Sequence, residues 1–206
     1  GNHNQKNFQI DPENRYCWQM SRRRLGAEAI RDAILHASGQ LTTSPYHGSV
    51  LQKLGDINYG RSNPEALDSD VARHRSIYLP VIRNAVPEAL RVFDFAEPSL
   101  IVGRRQITTV PTQALYLLND PFVLRQTEAI AQRLMDSTGD VTERINLVFT
   151  WVLGRSATTL ERERSITFMQ EIGAGLDSQN EQHREKVVWA TLSQSLIASA
   201  EFRYLN

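Results

Sequence analysis

The chain has 206 residues, 41% of them apolar and 22% charged, and its 23 basic and 23 acidic side chains cancel. A chain of this length buries roughly 70% of its unfolded surface without a disulfide or metal staple, and the balance of charge argues against a duplex-binding domain, which carries a basic stripe or an overall positive charge. No apolar run approaches the roughly 20 residues of a membrane span.

In the N-terminal half, Asp11-Pro12-Glu13 is expected to open a short turn of helix carrying Tyr16, Cys17 and Trp18. Ser21 is placed to cap a longer helix to about Ser38, stopped by Gly39. Its apolar stripe is Ile30, Ala33, Ile34, Ala37 and then Leu41. Arg24, Glu28 and Asp32 then fall at successive i, i+4 steps, a ladder of the kind that adds a few tenths of a kcal/mol per pair. Arg22, Arg23 and Arg24 would sit in the first turn, where the helix dipole disfavours cations, so carboxylate partners are expected for them. His36 falls near the C-terminus, where an imidazolium is favourable.

Residues 42–75 are rich in Gly, Ser, Asn and Asp and show no sustained period, which predicts a long irregular insertion. Ser76 to Ile82 reads as extended, with Pro80 barring a central strand. Pro87 is expected to begin a helix to about Phe93, residues 94–110 a connection, and Pro111 a helix ending near Asn119.

The C-terminal half carries clear punctuation. Asp120 followed by Pro121 is a helix start, a side-chain cap ahead of proline at the first helical position. Phe122, Val123, Thr127, Ile130, Ala131 and Leu134 share one face at helical spacing. Asp140 and Glu143 have the capping-box spacing, with Val141, Ile145, Val148, Phe149 and Val152 behind them and Gly154 at the end. Thr158 and Glu161 open a third helix, with Phe168, Met169 and Ile172 inward. Asn180 caps a fourth, running to about Phe202 with Val188, Leu192, Ser195, Leu196 and Ser199 inward. Four helices on short loops predict an antiparallel bundle. The fold class is therefore all-α: one multihelical domain over residues 1–206, with a C-terminal four-helix bundle.

Catalytic motifs are absent from the sequence. It contains no phosphate loop, no Gly-x-Ser-x-Gly elbow and no His-Glu-x-x-His pair. The five histidines are scattered, and no metal site is expected. The single cysteine, Cys17, forms no internal disulfide, and there is no Cys-x-x-Cys-His haem motif. Twenty of the 23 basic residues are arginine, the cation suited to carboxylate forks and aromatic stacking.

One segment is dense in polar groups: Gly103-Arg-Arg-Gln-Ile-Thr-Thr-Val-Pro-Thr-Gln113. Two arginines and two threonines precede a helix N-terminus, which offers free N–H groups and partial positive charge. Arg104, Arg105, Thr108 and Thr109 would form an anion site there, with Gln113 and Arg83 as further polar candidates. The structural alternative has Thr109 capping the helix and the arginines paired with Asp94 and Glu97.

This string resembles the planctomycete PSD domain, a C-terminal domain of unknown function in cytochrome-c-associated proteins. The likeness extends to the Asp11–Arg15 and Arg22–Asp32 segments, to Arg75–Val81 with Phe93-Asp94, and to Leu153-Gly-Arg155 and Ala198–Tyr204 near the end. Residues 42–74 carry little of it. The resemblance implies a long exported bacterial parent, periplasmic or at the cell surface, with this chain as its C-terminal piece and the preceding domains as its partners. It supplies no catalytic residues and places any haem outside this chain, so no cofactor is expected here. Three functions are compatible with these readings: a non-catalytic interaction or structural module, a binder of an anionic ligand such as an acidic or sulfated glycan, and one part of a hydrolase site shared with a preceding domain. The first is preferred, and neither nucleic acid nor a membrane is expected as a partner.

Overall fold

The computed structural model describes residues 4–20, 23–45, 48, 73–81, 86–137, 139–176 and 180–205. In chain order the elements are α1 (Gln5–Ile10), β1 (Arg23–Arg24), α2 (Ala27–Ala37), a 3-10 turn (Ser76–Tyr78), α3 (Glu88–Val92), α4 (Pro111–Asn119), α5 (Pro121–Met135), α6 (Val141–Leu153), α7 (Thr159–Gly175), α8 (Glu181–Ala198), α9 (Ala200–Arg203) and β2 (Tyr204–Leu205). The chain is mostly helical with minimal strand, and α5 to α8 pack together as the fold class requires.

The punctuation of the C-terminal half acts where its chemistry indicates. The Asp120 carboxylate accepts from the Phe122 amide at 2.8 Å, and Asp140 accepts from the Glu143 amide at 2.7 Å. Thr158 and Glu161 form a reciprocal capping box, satisfying two orphan donors at the start of α7. Asn180 accepts from His183, and Gly154 ends α6 at φ 72°, a left-handed value that costs glycine nothing. The predicted stripe of α5 is buried in full. In α6 the stripe is buried from Ile145 onward, while Val141 is exposed.

Helix α8 departs from its expected face. It ends at Ala198, because Ser199 leaves the helix and caps α9 through the Phe202 amide. Trp189, Ser193 and Ile197 join Val188 and Leu192 inside, whereas Ser195 is exposed. The reason is position: α8 packs on α5, α7, α4 and α6, so burial spreads round it and no single stripe records the core. Helix α7 is peripheral, burying only Ser165 and Gly173, with Phe168, Met169 and Ile172 partly buried.

The N-terminal half needs more correction. Helix α2 begins at Ala27 rather than after Ser21, whose position lies outside the described residues together with Arg22. Arg23 and Arg24 form a strand instead, antiparallel to Tyr204–Leu205, and the Leu25 amide donates to the Arg203 carbonyl at 2.8 Å. The i, i+4 ladder from Arg24 therefore does not exist, since Arg24 is not helical. Residues 76–78 are a 3-10 turn and not an extended segment. Ahead of α2, Asp11 organises the turn that the sequence reads as helix: its carboxylate accepts from the Arg15 and Tyr16 amides, and its carbonyl accepts from the Trp18 indole. Most of the expected 42–75 insertion lies outside the described residues; at its edges Thr42 and His74 form a parallel bridge.

Candidate functional site

The polar segment before α4 folds onto a carboxylate of its own chain. Asp94 follows α3 in the left-handed region (φ 66°), a conformation that aspartate tolerates better than most residues. There its Oδ2 accepts from the Thr108 amide at 2.9 Å, and its Oδ1 accepts from the Thr108 hydroxyl at 2.7 Å. Arg24 Nη1 lies 3.0 Å from Oδ2 and also donates to the Thr108 carbonyl. Gln113, fully buried on α4, donates to the Val92 and Thr108 carbonyls at 3.2 Å each. Phe93 sits beside this knot, with the Arg24 guanidinium 5.9 Å from its ring centre and Tyr116 packed edge-on at 5.7 Å. Burial raises the Asp94 carboxyl, but the two Thr108 bonds and the Arg24 charge outweigh it, and the net direction is downward.

The anion that the string was expected to attract is thus, in part, Asp94 itself. Thr108 is engaged with it. Thr109 places its hydroxyl 3.4 Å from that of Tyr204 and does not cap the helix; the cap position is Val110, with no side-chain bond. Arg105 pairs with Glu28, through bonds of 2.7 and 2.9 Å, and stacks on Phe95 at 4.7 Å. It does not pair with Asp94 or Glu97. Arg104 is exposed, and among the described residues it has no carboxylate partner. Arg83 lies outside the described residues. A cleft of about 260 Å³ remains beside the knot, and Arg23, Arg24, Arg104 and Arg105 all line it.

The other distinctive strings also find partners within the chain. Arg31, 1% exposed, donates to the His74 carbonyl and to the Ser76 hydroxyl, and Ser76 in turn donates from both its amide and its hydroxyl to Asp32. Arg155, just after α6, forks onto Glu161 of α7 and Glu201 of α9 at 2.6–2.8 Å. Among the described residues six arginines lie over aromatic rings: Arg24, Arg31, Arg105, Arg133, Arg144 and Arg155. At these positions lysine would not serve as well, because a planar guanidinium can stack and fork at once.

The Arg155 cluster makes a pH prediction. Its bonds hold the Glu161 carboxyl down to about 2, from an ordinary 4.5. A depressed carboxylate stabilises the fold above its unfolded value and loses that contribution as pH falls toward the folded one. The melting-temperature gap between the native chain and Glu161→Gln should therefore be constant above about pH 5.5 and shrink between pH 4.5 and 2. A gap independent of pH would mean that the fork contributes nothing through charge.

Among the described residues no group of three His, Cys, Asp or Glu side chains could hold a metal, and no helix is long and apolar enough to cross a membrane. The family model described as PSD1, protein of unknown function (DUF1553), matches residues 1–169. No curated protein and no solved structure matches the chain.

Proposed function

We propose that this chain, which belongs to the PSD1 family of proteins of unknown function (DUF1553), is a non-catalytic docking module of a larger exported, cytochrome-c-associated protein. The observation that carries this reading is the connection between α3 and α4. Of its polar side chains Thr108 turns onto Asp94 and Arg105 onto Glu28, while Leu100, Ile101, Val102, Ile107 and Val110 are exposed. Ile101 is fully exposed and Ile107 is 72% exposed. Single exposed apolar residues are ordinary, but a run of them on one segment marks an interaction surface. The natural occupant is a preceding domain of the same parent.

The test is association between this chain and the remaining part of its parent, produced separately and read by co-elution. The double variant Ile101→Asp/Ile107→Asp should keep its stability within about 0.5 kcal/mol, as surface changes do, and lose the association. Equal association by native and variant chains, or none by the native chain, overturns the docking reading.

A second reading is favoured by the four-arginine cleft. Arg23 and Arg104 line it with no carboxylate partner among the described residues, which suits a sulfate or carboxylate group of an acidic glycan. A saturable rise in melting temperature with a sulfated oligosaccharide, abolished by Arg104→Ala, supports this; no rise excludes it.

A further inference from the structure

A larger cleft, of about 590 Å³, lies between the end of α2, α5 and the N-terminal half of α8. Four cations line it, Arg73, Arg125, Arg133 and Lys186, against two carboxylates, Glu128 and Asp136. In a chain whose charges cancel overall, this is a local excess of cations.

Arg133 is the best-defined of the four. Its Nη1 donates at 2.9 Å to the Ala37 carbonyl, one of the acceptors left open at the C-terminus of α2. Its guanidinium carbon stands 3.7 Å from the ring centre of Trp151. Its stem crosses Gly39, where an added Cβ would stand 3.4 Å from Cδ and where φ is 75°. Three contacts thus hold the guanidinium in place, yet among the described residues no carboxylate pairs with it. Burial disfavours its charged form and pulls its pKa below the usual arginine range, so a counter-charge would be favourable there. The Lys186 ammonium likewise has no carboxylate partner among the described residues. Asp136 accepts from the Gln132 amide at 3.0 Å and is partly occupied by that bond.

We propose that this cleft binds a small ligand bearing two or more carboxylate or phosphate groups, with Arg133 as the fixed anchor for one group and Lys186 as the contact for another. The volume falls within the roughly 300–1,000 Å³ of small-molecule sites. A preorganised guanidinium loses little freedom on binding, and its remaining N–H groups match the fork of a carboxylate or phosphate. The site is separate from the α3–α4 connection and independent of whether that segment docks a domain.

Citrate and pyrophosphate are the probes, titrated against the whole chain at constant ionic strength by calorimetry and Trp fluorescence. Saturable binding of either is expected, and preference for one assigns carboxylate or phosphate. Lys186→Ala, whose side chain makes no hydrogen bond or ion pair among the described residues, should fold normally and weaken binding about tenfold, the loss of one charge-assisted bond. Arg133→Gln should weaken it at least as much. Glu128→Gln should tighten it, since it removes a repelling carboxylate from the lining, an effect that a merely structural role would not produce. Trp151→Phe should retain binding and lose most of the fluorescence change. No saturable binding of either probe, or binding unchanged in both Lys186→Ala and Glu128→Gln, overturns the proposal.

Discussion

Replacing Asp94 by alanine should lower the unfolding free energy by about 3–5 kcal/mol, the cost of leaving a buried charge without its partner. The side chain of Arg24 is 5% exposed and that of Asp94 16% exposed, so water entering from the adjoining cleft replaces the lost carboxylate only in part. The Thr108 amide and hydroxyl lose their acceptor in the same step. Asp94→Asn is the discriminating control. Asparagine also tolerates the left-handed backbone at this position and keeps one acceptor, so it removes charge more than shape. It should cost about half as much. Because the folded carboxyl lies below its ordinary 3.8, its contribution is present at neutral pH and is lost as pH falls below that value. The gap between native and Asp94→Asn chains, measured by urea unfolding at pH 7 and pH 3, should narrow at the lower pH. An alanine variant that loses less than about 1 kcal/mol would show that the knot is incidental.

Trp189→Ala should cost a similar amount, about 3–5 kcal/mol, by a different mechanism. The ring is 1% exposed on the helix that packs against most of the others, and the guanidinium of Arg144 lies 5.9 Å from its centre. Removing it opens a cavity that α5 and α8 cannot close, and takes away the surface on which Arg144 rests while it pairs with Glu185 at 2.5 Å. For a chain of this size the loss corresponds to a fall in melting temperature of about 6–20 °C. Trp189→Phe should recover a large part of it by restoring an aromatic surface. Unfolding followed by helical circular dichroism is the measurement. A fall of only a few degrees would mean that the bundle collapses around the gap.

The two variants probe different parts of the chain, and they differ in how far the sequence foretells them. The ends of α5, α6 and α7 were legible because a cap is local: Asp120, Asp140 and Thr158 bond to amides two or three residues on. The buried face of α5 was legible because one side of it meets the core. Helix α8 was legible at its start, where Asn180 caps it, but not at its end or in its orientation, since a helix buried on several sides has no single apolar stripe to read. Trp189 could have been singled out only as a large apolar residue in the most enclosed helix.

For the candidate site, the sequence identified the segment but not its partners. Arg104, Arg105, Thr108, Thr109 and Gln113 lie within about ten residues of one another, so their concentration is visible in one dimension. Arg24 is 70 positions from Asp94, and Glu28 is 77 from Arg105. No local rule selects Asp94 over Glu97 for Arg24, or Glu28 over either for Arg105. The choice follows from where α2 and α3 bring their ends. The Arg23–Arg24 strand was missed for the same reason, because its partner, Tyr204–Leu205, lies at the other end of the chain. The cleft around Arg133 left no sequence signal at all: its lining comes from α2, α5 and α8 and from Arg73.

What the sequence determined by itself is the helical class, the bundle of α5 to α8, the N-terminal caps of those four helices and the arginine-rich character, all of which depend on periods and contacts within a few residues. What only the tertiary structure decided is which charge meets which. An arginine fork can serve any carboxylate within reach, and reach is set by the packing of elements far apart in the chain. That packing sets the partly buried Asp94 against Arg24 and leaves Arg133 held in place with no carboxylate partner among the described residues.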